Sequence, residues 1–180
     1  MSARAETIEQ SGRRIGGHAW VELRLFEIVG GWVTSVPELE AKATLAAQSH
    51  HHAWHAELWH GLLPAVPHLP VADLVAPPSE GVAALLAALA EPGDDGSRII
   101  ERLVGLYRVT VPALIAAYQD HLARTTPIAD GPTIRALHLV LADEEADRLA
   151  GEDLLAAVVT DPTATGRAAA QESHLRALLG

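Results

Sequence analysis

Five prolines fall between residues 63 and 79, at Pro64, Pro67, Pro70, Pro77 and Pro78, and they split the chain into two parts. Proline has no amide hydrogen and a fixed φ, so a stretch this rich in it sustains neither a helix nor a paired strand. Whatever packs here must join its two parts by a long irregular link. Each part, by contrast, is broken once and briefly. In the first, Ser35-Val-Pro37-Glu38 reads as a stop and restart, with Ser35 and Glu38 spaced for a capping box. In the second, Thr126-Pro127 through Asp130-Gly-Pro132 does the same.

Between these breaks the apolar residues recur at helical spacing. Ile8, Gly12, Ile15, Ala19, Leu23, Phe26, Gly30 and Val33 share one face. Leu39, Ala43, Ala46, Ala47, Ala53 and Trp54 share another. Ile100, Leu103, Tyr107, Leu114, Tyr118 and His121 mark a third stripe; Ile134, Leu137, Leu141, Leu155 and Val159 mark a fourth. Alanine and leucine dominate, with one phenylalanine and two tyrosines, which favours helix over sheet. Helices are expected at about 4–34, 36–63, 80–91, 98–125, 132–159 and 164–179 within a single domain spanning 1–180. Ser79 caps the short helix inside the crossover and Ser97 the third long one. A turn is expected at Pro92-Gly-Asp-Asp-Gly96, and Pro112 should kink the third long helix. Short links make antiparallel neighbours, and the long one lets the third helix run parallel to the second.

With 49% apolar residues and 20% charged, the chain has the means to build a core. The formal charge of −10 disfavours a nucleic-acid partner, because phosphate binding needs clustered Lys and Arg. The absence of cysteine excludes thiolate metal sites and disulfides. No stretch approaches the ~20 uninterrupted apolar residues of a membrane span, and no leader pattern opens the chain, so a cytoplasmic protein without a membrane partner is expected.

Polar residues interrupt the apolar stripes. They matter because burying an unpaired polar group is costly. The first helix carries Glu22. On the second, within Gln48-Ser-His-His-His-Ala-Trp-His-Ala-Glu57, the wheel places His50 and Glu57 inward and His51 at the edge, with His52, His55 and His60 projecting elsewhere. On the fourth, Glu144, Glu145 and Arg148 face the core. Glu22 lies about a dozen residues before the first short turn, level with Gln48 to His51, and Glu144 and Glu145 lie about as far after the second, level with Thr110 to Leu114.

On these residues the chain resembles the ferritin-like superfamily of four-helix bundles, whose di-iron carboxylate members place a Glu on each of two helices and Glu-x-x-His on the other two. The proline-rich crossover and His52-Ala-Trp-His-Ala-Glu57 resemble ferritin-like domains of the tRNA-hydroxylase kind. The resemblance implies a ferritin-like bundle with one long crossover holding a short helix, followed by a C-terminal helix. It also implies metal ligands at Glu22, His50 or His51, and Glu144 or Glu145. The pattern is incomplete, however: Ala47 or Gln48 stands where a second-helix glutamate belongs, the third helix has no carboxylate at its mid-helix inward positions, and Arg148 (three on from Glu145) or Asp147 (three on from Glu144) stands where a histidine belongs. Arginine is always charged and offers no lone pair. The expectation is therefore a metal-poor or metal-free pocket. Glu22, His50, Glu144 and Arg148 would work there by acid–base chemistry on a small molecule held by Trp54, Glu57, Tyr107, Thr110, Tyr118 and His121. An iron or manganese oxidoreductase with a reduced site is the alternative, and a buried structural ion network the second alternative. The spare histidines and the last helix could make a homodimer contact.

Overall fold

The computed structural model describes residues 6–91 and 97–180. Among them the regular structure is helical, and the only β-type pairing is an isolated bridge between Val66 and Leu69 in the link. Helix α1 spans Ile8–Trp32, α2 Leu39–Gly61, α3 Val71–Leu74 and α4 Glu80–Ala90. Then α5 (Ile99–Val104) passes through a π-helical turn (Gly105–Thr110) into α6 (Val111–Arg124), and α7 (Gly131–Val158) and α8 (Pro162–Leu179) follow. The turn expected at 92–96 lies outside the described residues. Among these helices none is long and apolar enough to cross a membrane.

Local signals set most of the boundaries. Thr7 starts α1 with a capping box, its hydroxyl accepting from Gln10 N–H while Gln10 reaches back. Ser79 and Asp161 cap α4 and α8 through their side-chain oxygens. The capping box expected at Ser35 does not form. Ser35 instead donates to the Trp32 carbonyl, closing α1, and α2 begins three residues later than expected, behind Glu38. Nor does Arg98, at the cap position of α5, supply a side-chain bond. Pro112, whose ring prevents a bond to the Arg108 carbonyl, is preceded by the π turn, which closes with the Val111 N–H on the Leu106 carbonyl.

The buried faces repeat with alternating steps of three and four residues. On α1 they include Ile15, His18, Glu22, Leu25, Val29 and Trp32, and on α2 Ala41, Leu45, Gln48, His52, His55 and Trp59. The third segment presents Ile100, Val104, Tyr107, Val111, Leu114, Tyr118 and His121, and α7 presents Thr133, Leu137, Val140, Glu144, Asp147, Gly151 and Leu154. Such a repeat holds one seam against a common axis. Cross-helix contacts give the directions. Glu22 meets His52 and the Phe26 carbonyl meets Ser49, so α1 and α2 are antiparallel. Gln48 pairs with Tyr107 and Trp59 with Tyr118, a constant offset of 59 residues, so α2 and the α5–α6 segment run parallel. His51 pairs with Asp147 and His55 with Asp143, which makes α7 antiparallel to α2.

The expected stripe on α1 holds through Gly12, Ile15 and Ala19 and then drifts out of phase, and that on α2 is out of phase with this core. Ile8, Leu23, Phe26, Leu39 and Trp54 are exposed, as are Ala43, Ala46 and Ala47. Alanine is small enough for either face, so it carries little phase information. The crossover lies against α1 at Gly16, where a Cβ would stand 2.1 Å from the Leu74 carbonyl oxygen, so only glycine fits. Helices α4 and α8 cover the π turn, with Leu85, Val109 and Leu175 forming a small core of their own.

Candidate metal centre

Four side chains from three helices converge in the interior: Glu22 from α1, His52 and His55 from α2, and Glu144 from α7. All four are at most 2% exposed. One nitrogen or oxygen from each lies within 4.8 Å of the others. The two histidines sit three residues apart, so one helix face presents both. The α2–α6 offset brings Val111 and Leu114, both buried, level with them, so the third segment contributes an apolar wall there.

Donor atoms approach one another without pairing fully. His52 Nδ1 is 2.7 Å from Glu22 Oε2, a good hydrogen bond. It is 3.4 Å from Glu144 Oε1, while His55 Nδ1 is 3.3 Å from both Glu22 Oε1 and Glu144 Oε1. In those longer contacts the directions do not suit a hydrogen bond, and His55 Nδ1 and both Glu144 oxygens are left buried without a hydrogen-bond partner. Separations of this size match the edge of a tetrahedron of ligands around an ion at about 2.1 Å, which is about 3.4 Å. The four residues could hold a metal ion.

A surrounding layer of side chains fixes the donors. His55 Nε2 lies 3.2 Å from Asp143 Oδ2, so its Nε2–H is held by a carboxylate and Nδ1 faces Glu22 and Glu144, where loss of its proton would free a lone pair for an ion. The Tyr118 hydroxyl donates to Glu22 Oε1 and accepts from Trp59 Nε1–H at 3.2 Å. Below the cluster, Tyr107 donates to Gln48 Oε1 at 2.5 Å, and Gln48 Nε2 donates to the Asp147 carbonyl at 3.1 Å.

Electrostatics follow from burial and these partners. Burial by itself would raise the Glu22 carboxyl, but the charge and hydrogen bond of His52, with the charge of His55 nearby, outweigh it and hold the group at about 2. Burial would likewise lower both imidazoles; against it, Glu144 and Glu22 raise His52 and His55 to about 10. The phenol of Tyr118 is pushed well above its ordinary value, by burial first and by the two glutamates next. Two imidazolium protons therefore balance two carboxylates, and one divalent ion would do the same in their place.

The chain matches no protein-family model, no curated protein and no solved structure.

Of the residues singled out in the sequence, the cluster gathers Glu22 and Glu144. It excludes His50, which is exposed, and Glu145, also exposed. His51 is half-buried and bonds Asp147 at 2.8 Å instead. Arg148 is half-buried and makes no ion pair with Glu22 or Glu144, whose cationic partners are His52 and His55. Trp54 and Glu57 are exposed on the far side of α2. Tyr118 touches Glu22, whereas Tyr107 is tied to Gln48, the Thr110 hydroxyl to the Gly105 carbonyl, and His121 to His18. The inward histidines are thus His52 and His55, placed outward by the sequence wheel. Their signal was present in the four-three spacing from Leu45 through Gln48, His52 and His55 to Trp59. It was masked because half of that run is polar and the alanines beside it read as core.

Proposed function

We propose that Glu22, His52, His55 and Glu144 bind a single divalent first-row transition ion, and that the chain is a ferritin-like helical metalloprotein of the non-haem iron or manganese oxidoreductase type. The observation that carries this is the set of buried donor atoms left without hydrogen-bond partners, His55 Nδ1 and both oxygens of Glu144, beside the other two ligands. Buried polar groups are nearly always satisfied, so three orphaned polar atoms at one point favour a shared cation, which the Glu144 oxygens and a deprotonated His55 Nδ1 would ligate. The donor set is two imidazoles and two carboxylates, which suits iron, manganese or zinc and, without thiolate, does not favour softer ions. The long crossover that leaves α2 parallel to α5–α6 supports the ferritin-like comparison. So does the origin of ligands on facing helices.

Two carboxylates neutralise one divalent ion, whereas a second ion would need a further carboxylate where the third segment places Val111 and Leu114. The ion, when bound, supplies Lewis acidity and, if it is iron or manganese, one-electron redox capacity. The protein's own residues hold the site dry: Val111 and Leu114 wall one side, Tyr118 restrains Glu22, and Asp143 orients His55.

The short contact between His52 and Glu22 favours a second reading, a metal-free ion network that only sets the register of the helices. Elemental analysis separates the two. Untagged protein, isolated as expressed and after anaerobic reconstitution with Fe(II), Mn(II) or Zn(II), should carry about one ion per chain. Glu144→Ala and His55→Ala should abolish it. No metal under any of these conditions would leave the ion network as the correct reading, and two ions per chain would refute the mononuclear assignment.

A further inference from the structure

A second feature of the interior lies on the other side of the α1–α6 seam. Between α1, α4 and α6 there is a cavity of about 190 Å³, walled by Val21, Val82, Leu85, Leu86 and Leu114. Pro78 and Leu179 lie at its edges. An engineered cavity of about 150 Å³ lined by aliphatic and aromatic side chains stays dry and takes up benzene. This space is somewhat larger and opens to solvent past Pro78, Ala117 and Leu179, so its apolar floor forfeits dispersion contacts unless an apolar molecule covers it.

Polar groups at the rim restrict what fits. Arg14 and Asp120 border the cavity but neutralise each other at 3.1 Å, and each has a further partner, Glu6 for Arg14 and Arg124 for Asp120. No net charge is therefore offered to an ionic ligand. Within the wall, His18 is 7% exposed and pairs with His121 at 3.0 Å. Burial, with His121 and Arg14 nearby, lowers its pKa to about 3, so it presents a neutral ring. The Thr110 hydroxyl is already committed to the Gly105 carbonyl.

We propose that this cavity is a binding site for a small uncharged molecule, a single-ring aromatic or branched aliphatic compound of about ten non-hydrogen atoms. It stands independently of metal binding, although the two sites share a wall. Leu114 belongs to both, and the His18 ring packs edge-on against Tyr118 at 4.8 Å, behind the hydroxyl that holds Glu22.

The test uses the full chain and neutral probes. Toluene and indole titrated into methyl-labelled protein should bind saturably at one site, with a dissociation constant of about 0.1–1 mM, the range that a ligand of this size reaches from apolar contact. Shifts and intermolecular nuclear Overhauser effects should centre on the methyls of Val82, Leu85, Leu86 and Leu114. Benzoate and benzylamine, of similar shape but charged, should bind at least tenfold more weakly. Ala113→Phe and Ala117→Phe, which place a ring in the space, should remove binding without changing metal content. Absence of saturable binding, contacts on other methyls, or equal affinity for the charged probes would each overturn the proposal. Because the methyl contacts are read in the unmodified chain, the test survives a filled variant that fails to fold.

Discussion

Asp143→Asn is the most informative single change beside the Glu/His cluster, because it alters none of the four proposed ligands. The Asp143 carboxylate accepts the Nε2–H of His55 at 3.2 Å, and once the ring gives up its other proton to an incoming ion this fixes the tautomer whose Nδ1 lone pair faces Glu22 and Glu144. Outer carboxylates of this kind typically contribute 10–100-fold, about 1.4–2.8 kcal/mol, to metal affinity. The Asp143 side chain is 35% exposed, so solvent screens its charge, and the lower end applies. The expected loss is about tenfold, or about 1.4 kcal/mol. An asparagine keeps the shape and still offers an acceptor oxygen, so the helices should not rearrange. The assay is competition with a chromophoric chelator, using Zn(II) and Fe(II), on wild type, Asp143→Asn and Glu144→Gln. A wild-type affinity in Asp143→Asn alongside a large loss in Glu144→Gln would show that His55 needs no orienting partner. Equal affinities in all three proteins would remove the cluster as the binding site.

Metal uptake should also release protons. With His52 and His55 raised to about 10 in the metal-free chain, both are protonated at pH 7–9, and the ion must displace about two protons. Affinity should therefore rise with pH through that window, and calorimetry in buffers of different ionisation enthalpy should count the protons; a count of zero would contradict the assignment. The same raised values mean that the imidazoles stabilise the metal-free fold fully below their unfolded value near 6.5 and lose that contribution as pH climbs toward 10. Replacing Glu22, His52, His55 and Glu144 together by leucine or methionine, with Tyr118→Phe to avoid stranding its hydroxyl, should raise metal-free stability by about 1–4 kcal/mol in urea unfolding. A large destabilisation would mark the cluster as structural. Gly151→Ala should destabilise by about 1–3 kcal/mol in the same assay despite alanine's higher helix propensity, because its Cβ would meet the Tyr107 ring at 2.2 Å. Unchanged stability there would mean that Tyr107 is free to move.

The helices and their order were legible because each break rests on local chemistry: proline at 64–78, the Ser79 cap, and the proline and glycine of 130–132. The exceptions were the proline-rich link, which still forms the single helical turn α3 and the Val66–Leu69 bridge, and Ser35, where the hydroxyl found the α1 carbonyls rather than the α2 amides, a choice between two orphaned ends that the sequence leaves equal. Two members of the candidate site, Glu22 and Glu144, were also legible, since a charged residue inside an otherwise apolar stripe stands out. Their histidine partners were not. On α2 the stripe itself is half polar and the competing face is alanine, so apolar periodicity pointed at the wrong side, and His50 took the place of His52 and His55. Rules based on burial of apolar groups fail where a site has replaced the core.

By itself the sequence determined an all-helical chain with two hairpins, a proline-built crossover and carboxylates held at mid-depth, because caps, breakers and helical propensity act over a few residues. Only the tertiary structure decided which α2 face turns inward, and with it that Arg148 stays away from Glu22 and Glu144. That choice depends on how four seams interdigitate, through Trp59 on Tyr118, Gln48 on Tyr107 and Ser49 on the Phe26 carbonyl. Contacts between residues far apart in the chain set the rotation of a helix, and a rotation of half a turn separates a solvated histidine from a member of the buried Glu/His cluster.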